Sequence, residues 1–481
     1  MPVRARPFTT LFSLLLAACG SGGDRRFDVL LVGDPDTVAG DARPLSAASG
    51  LIREATRSGF VSIDDEGRIR PELAARWIVT DDGLSYIFRF EPREVDGEPP
   101  LTAGKVRKAL NAAIARTKGT GLGLDLTVID GIYARTDEVI EIRLKTAMPE
   151  FMQLLAAPEL ALDFTDATTD ALVLETEGSL LTLSRPVPDE VNGEGATLDI
   201  RVAPAKEAVE RFQAGQAELL LGGDIDALPH VEMGGLLRGT IRLDPVTGIF
   251  GLAVSPRGEG DFLSRASNRE AVSMAIDRQA LIAPFNIGGW VPRTRLVPVG
   301  MPGTQQPPGR WDGLEIGQRQ AFAAQRVAGW LASEGTIDPI TIALPPGTGG
   351  DILFRRLSAD LGRIGLATKR VGWADKAQLR LVDEVASFDR PEWYLHRFDC
   401  TVLRGACNSD ADALVAQAIA EPATARRNEL LAEAERILTE ENGFISFGPP
   451  IRFSLVRGGI DGFAINRWGF HPLSQLIGDP N

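Results

Sequence analysis

The sequence predicts a mixed α/β protein built as two or more lobes, and three observations carry that expectation. Its 481 residues exceed the size of one compact domain. Strand-like and helix-like segments are interspersed along most of the chain, and "ITIALPPGTGGDILFRRLSADLGRIGLATKRVGW" reads as strand, loop, helix and strand, the pattern of a crossover connection. No internal repeat of about 20 to 50 residues appears, so a solenoid or propeller is excluded.

The chain carries 51 Lys and Arg against 65 Asp and Glu, a formal charge of −14. That balance argues against a nucleic-acid partner, because neutralising phosphates takes a basic face. At the amino terminus Arg4 and Arg6 precede "FTTLFSLLLAAC", an apolar run too short to span a bilayer permanently and built like a secretory signal. It ends on Leu16-Ala17-Ala18-Cys19, which resembles a bacterial lipobox. The expectation is a signal peptide over residues 1–18, lipidation at Cys19 and a flexible tether over 19–26 that contains "GSGGD". A signal peptide that merely contains a Cys is the other reading. The lipidated form predicts an exported protein anchored in the cell envelope of a bacterium.

Two thiols remain, Cys400 and Cys407 in "FDCTVLRGAC", and an exported chain most simply pairs them as a disulfide. Free thiols are a second possibility. A metal site shared with His396 is a third, although two thiolates and one imidazole fall short of a closed tetrahedral set.

Along the chain, "RFDVLLVGDPDTV" reads as a strand leaving the leader. The stretch from Arg70 to Phe90 reads as a hairpin, with a two-residue Asp82-Gly83 turn at positive φ and Leu84, Tyr86, Phe88 and Phe90 on one face. "LTAGKVRKALNAAIAR" predicts a helix with Val106, Leu110, Ala113 and Ile114 on one stripe and Thr102 as cap. Short strands follow at Glu141 to Leu144, Leu180 to Leu183 and Leu198 to Val202, and "AKEAVERFQAGQAELLL" reads as helix, Gly215 stop and strand. "GIFGLAVSP" is a strand and "SNREAVSMAIDRQALI" a single helix, after which residues 288 to 313 are rich in Pro and Gly and irregular. Glycines 347, 349 and 350 in "PPGTGGD" do not make a phosphate loop: the Gly-Lys-Ser/Thr ending is missing and Asp351 stands where a phosphate would sit. A long helix from Thr424 to Glu440 and the strand of "GFISFGPPIRFSLV" close the chain.

Read in order, these phrases resemble the family 5 extracellular solute-binding proteins of ABC importers, which include oligopeptide-, dipeptide- and nickel-binding members. "GRIRPELAARWIVTDDGLSYIFRF" is similar to that family's Gly-x-Ile-x-Pro-x-Leu-Ala-x-x-Trp phrase with its Asp-Asp-Gly turn and aromatic strand. "ERFQAGQAELLL", "SNREAVSMAIDRQALI", "VPVGMPG" and "LSADLGRIGLATKRV" resemble later family phrases in the same order, and residues from Asn408 onward resemble its terminal helices. The resemblance implies a two-lobed periplasmic-binding-protein-like α/β fold with two hinge strands and a discontinuous first lobe. Lobe one is then 27–250 and 446–481, and lobe two 251–445. It also implies a monomer that takes a small-molecule or peptide ligand in the interlobe cleft, needs no cofactor, and presents the ligand to an ABC permease in the inner membrane. The alternative is an envelope lipoprotein of the same fold that has lost transport and serves as an interaction or sensory module.

Departures from the family pattern bear on the ligand. Peptide-binding members carry Trp-x-Ala-Asp-aromatic-x-x-Pro, whose Asp meets the peptide's amino terminus. Aligned on Pro391, this chain has "DEVASFDRPEWYL", with Glu384 at the Trp position and Ser387 at the Asp position. The ammonium anchor is therefore absent or displaced onto Asp389. The family phrase that keeps Asp96-Gly97 has also lost its basic-glycine turn. From residue types, "SFDRPEWYLHRF" is the candidate cleft wall: Asp389 and Arg390 for ligand charges, Trp393 and Tyr394 for flat apolar contact or else as lobe-two core. "RWGFHP", from Arg467, is a weaker candidate from lobe one. Catalysis is not expected, because His230, His396 and His471 belong to no nucleophile, metal or acid/base motif.

Overall fold

The computed structural model describes residues 26–38, 45–90, 101–164, 171–185, 197–232, 240–301 and 309–477. The expected signal peptide, Cys19, all but the last residue of the tether, and Asp96-Gly97 lie outside the described residues.

Among the described residues three larger sheets organise the chain. The first has seven strands in the order Ile241–Leu243, Phe453–Val456, Leu219–Gly223, Arg26–Val32, Thr197–Ala203, Leu180–Ser184 and Val173–Glu177. Arg26–Val32 runs parallel to both of its neighbours, and its Val29–Leu31 segment is covered on both faces, which is why that part of the strand is continuously apolar rather than alternating. Successive side chains still point to opposite faces. Leu30 packs with Phe212 of the helix Ala205–Gln213, whereas Val29 and Leu31 pack with Leu51, Ile52 and Ala55 of the helix Ala47–Thr56.

The second sheet has five strands in the order Thr368–Val371, Ile340–Ala343, Leu379–Val385, Gly248–Val254 and Phe444–Gly448. Every residue of Gly248–Val254 is buried. Gly251 is required there, since a Cβ would stand 2.2 Å from the carbonyl oxygen of Ile445. Parallel pairing of Ile340–Ala343 with Thr368–Val371 across the helix Thr348–Arg363 is the crossover legible in the sequence.

The third sheet contains the hairpin. Ala74–Val79, Ser85–Phe90, Val139–Leu144 and Ile129–Thr136 form, in that order, a four-stranded antiparallel sheet, whose buried face of Tyr86, Phe88, Phe90, Ile140 and Ile142 lies on the helix Ala103–Arg116. Phe60 meets the ring of Phe88 edge to face at 4.6 Å. The turn differs from the two-residue form expected. Thr80 and Ser85 close a four-residue loop, Gly83 alone in it takes a positive φ (68°), and Asp82 Oδ1 accepts from Thr80 Oγ1 at 2.6 Å and the Leu84 amide at 2.9 Å. Asp82 thus acts through its side chain, as in an Asx turn, rather than by adopting the left-handed region.

A further expectation is corrected. "SNREAVSMAIDRQALI" forms two helices, Ala266–Ala275 and Arg278–Ile282, because Asp277 caps the second by accepting from the Ala280 amide at 3.0 Å. The lobe boundaries drawn at 250/251 and 445/446 both fall inside strands of the five-stranded sheet. The chain leaves the seven-stranded sheet after Leu243, enters the other at Gly248, and returns between Gly448 and Phe453. These two crossings lie side by side: the Asp244 amide donates to Arg452 O at 3.0 Å. Cys400 and Cys407 are joined as a disulfide with Cα atoms 5.2 Å apart.

Candidate ligand cleft between the lobes

The wall nominated from sequence is a short helix, Pro391–His396, that follows the strand Leu379–Val385 of the second lobe. Pro391 suits its first position, where the missing amide would have had no partner. All six of its residues are buried, and it packs against the helix Gly121–Asp125, which follows Ala103–Arg116 on the opposite side. The contact is a charge cluster. Asp125, whose side chain is wholly buried, accepts from His396 Nδ1 at 2.7 Å and from both terminal nitrogens of Arg397 at 3.0 Å. Arg397 Nε lies 3.4 Å from Glu384, which also holds Arg404 at 2.6 Å. Gly121 is part of this arrangement, because a Cβ there would stand 2.4 Å from Arg397 Nη1.

Asp389 and Arg390 precede the helix, and both have protein partners. Asp389 pairs with Arg467, the residue nominated from the opposite end of the chain, and accepts from Thr247 Oγ1 in the first crossing at 3.1 Å. Arg390 is held by Glu392 at 2.7 Å and lies 3.9 Å from Glu150, beside the lobe-one helix Phe151–Leu155. Ser387 is half-buried and brings no charge to the site. Trp393 and Tyr394 are 1% and 0% exposed, in a core shared with Phe388, Leu395 and Phe398. Their rings meet edge to face at 4.9 Å, and the Arg397 guanidinium covers Trp393 at 4.2 Å. Of the two roles open to these rings in the sequence, the structure places them in the core, with no flat face open to a ligand.

Three interlobe residues escaped the sequence reading. The first is Asp226, at the end of the seven-stranded sheet's Leu219–Gly223 strand. Its Oδ1 accepts from the amide of Gly349 at 2.7 Å, at the N-terminus of Thr348–Arg363 in the other lobe. Burial raises the Asp226 pKa, and the amides of Gly349 and Gly350 oppose the rise. The glycines of "PPGTGGD" thereby have a reason: Cβ atoms at 347 and 349 would stand 2.0 Å from the Asp226 carboxylate and 2.4 Å from Ile225 O. The loop does present amides to an anion, and the anion is the protein's own. Asp125 is the second such residue.

The third is Arg293, in the Pro-rich stretch read as irregular. Its Nη1 is buried with no hydrogen-bond partner, and among the described residues no carboxylate pairs with it. Burial draws its pKa down, with the neighbouring Tyr394 opposing. Tyr394 in turn is pushed up by burial, with Thr247 and Arg293 opposing. Thr247 lies near the phenol, but the pair lacks hydrogen-bond geometry, and the Tyr394 hydroxyl is left unpartnered, as is Trp393 Nε1. His471 fills a structural role, its Nε2 lying 3.0 Å from buried Asp244.

No family model matches the chain. Over 124 residues it is 32% identical to a probable deoxycholate-binding periplasmic protein of Escherichia coli, a stretch covering 21% of this chain and 22% of that protein. Solved structures match along nearly the whole length. Haemophilus influenzae OppA in complex with RPPGFSPFR superposes with a TM-score of 0.79 at 14% identity, over 94% of this chain and 98% of that one. The Escherichia coli murein tripeptide binding protein MppA gives 0.78 at 16% identity over 94% and 98%. Its unliganded open form gives only 0.59 at 16% identity, over 94% and 97%. With two sheets joined by two adjacent crossings and a charged seam between them, the chain has the two-lobed fold of the family 5 periplasmic solute-binding proteins, as its sequence phrases imply.

Proposed function

We propose that the protein is the solute-capturing component of an ABC importer, exported and held at the envelope by a lipid on Cys19. One observation carries the reading: the two sheets are joined by paired crossings, and the Pro391–His396 helix packs against Gly121–Asp125 across the seam between them. On this reading the lobes rotate at the crossings and a solute bound beside that helix is enclosed when they close. Closure removes water from the bound solute, which strengthens each polar contact, and gives a membrane permease a shape to distinguish from the open form. The solute-binding neighbours support the reading, and the deoxycholate-binding relative widens the ligand class beyond peptides to amphipathic acids. Ser387 supports the same widening, since it cannot anchor a peptide's ammonium by charge.

The test is native mass spectrometry of the protein purified without denaturation. The reading expects a small solute in stoichiometric amount, released on unfolding. A ligand-free protein that also binds nothing from envelope extracts contradicts it. The anchor is tested separately: metabolic labelling with palmitate should mark the wild type and leave Cys19→Ala unmarked, and an acylated Cys19→Ala would refute the assignment.

A further inference from the structure

Polar groups at the seam are mostly satisfied by the protein itself. Asp389 has Arg467 and Thr247, Arg390 has Glu392, Asp125 has His396 and Arg397, and Asp383 has Arg452 at 2.9 Å. Several buried polar atoms there still lack a hydrogen-bond partner, Trp393 Nε1, Arg404 Nη1 and Glu150 Oε2 among them, and two of the unpartnered groups are neighbouring donors. Arg293 has a buried, partnerless Nη1, and Tyr394, wholly buried beside it, has a hydroxyl with no acceptor. A buried donor without an acceptor costs free energy, and a native fold keeps one where something outside the chain supplies the acceptor. Neutralised by Arg467, Asp389 does not cancel the Arg293 charge.

The opposite pole of the site lies one helical turn away along Pro391–His396. There Glu150 Oε2 is buried without a hydrogen bond, 3.9 Å from Arg390. Glu150 thus already has a cation near it, whereas Arg293 has no anion. Ser387, at the position that the sequence resemblance aligns with the ammonium-holding Asp of peptide-binding members, carries no charge.

Resting on the solute-binding reading above, we propose that the ligand is anchored by an anionic group, a carboxylate or its equivalent, held by Arg293 and the Tyr394 hydroxyl. An ammonium on the ligand is optional, and where present it lies toward Glu150. The anchor belongs to lobe two, so the acid group binds first and the remainder of the solute is covered as lobe one closes.

The experiment is calorimetry with four probes: phenylacetate, N-acetyl-alanyl-phenylalanine, alanyl-phenylalanine, and the carboxyl amide of alanyl-phenylalanine. The expected result is binding of the probes that carry a free carboxylate and none of the amide. Arg293→Gln should weaken the carboxylate probes about 100-fold, the loss of one charge-assisted contact. Arg293→Lys should recover part of that loss, and Tyr394→Phe, which removes one oxygen and no packing, should cost about tenfold. Thermal melts of the variants separate lost binding from lost folding. Binding of the amide equal to that of the acids, or acid binding untouched by folded Arg293→Gln and Tyr394→Phe, overturns the anionic anchor and leaves the solute-binding reading standing. A wild type that binds none of the four overturns the anchor, and if it also binds nothing from envelope extracts the solute-binding reading falls with it.

Discussion

Replacing Asp125 by Ala is expected to lower the free energy of unfolding by about 3 to 5 kcal/mol, the usual cost of leaving a buried partner charge uncompensated. The carboxylate is wholly shielded from water and is the shared acceptor for His396 and both terminal nitrogens of Arg397. Without it Arg397, itself buried, keeps Glu384, at 3.4 Å, as its carboxylate partner among the described residues. Asp125→Asn should be milder, because a side-chain oxygen can still accept one of the three bonds, though the charge is lost. Equilibrium denaturation in urea checks both. An Asp125→Ala midpoint equal to that of the wild type would contradict the account of the seam.

Trp393→Ala should cost a similar amount, about 3 to 5 kcal/mol, as a large buried aromatic removed from a packed core. It loses the edge-to-face contact with Tyr394 and the Arg397 guanidinium above its ring. The two roles open to this residue in the sequence separate here. A ring that stacks on ligand in an open cleft could be removed with little change in the stability of the ligand-free protein, and only affinity would fall. The structure instead predicts that the ligand-free protein is strongly destabilised, and that Trp393→Phe recovers part of the loss. Denaturation of the stripped protein decides it, since an alanine variant as stable as wild type would return Trp393 to the ligand.

What was legible in the sequence follows from range. Period and capping are local, so the aromatic face of Tyr86, Phe88 and Phe90, the helix begun by Thr102 and the crossover around Leu353, Leu357 and Leu361 all appear where local pattern puts them. The break at Asp277 was missed because the apolar period runs on through it and one side-chain hydrogen bond to the Ala280 amide outweighs that continuity. Where one lobe passes to the other is hard to read for a related reason. Gly248–Val254 and Phe444–Gly448 read correctly as strands, but sheet membership is set by pairing partners far away in the chain.

The candidate site was half legible for the same reason. Asp389 and Arg467 were both nominated, yet nothing local announces that they pair. Asp125 meets its partners across 271 and 272 positions, and Asp226 meets Gly349 across 123. Each lies in unremarkable wording. The glycines of "PPGTGGD" are the one visible trace of the Asp226 contact, and nothing in their wording names the carboxylate that meets them. Arg293 left no trace, because its distinguishing property is the absence of a partner in the fold.

The central claim is that two lobes joined by adjacent crossings close on a solute, and small-angle X-ray scattering tests it most directly. The protein should be stripped by unfolding and dialysis, refolded, and measured before and after its natively co-purifying solute is restored. The account predicts a larger radius of gyration for the stripped protein and a return to a compact profile on adding the solute back. Identical scattering with and without the solute would contradict it.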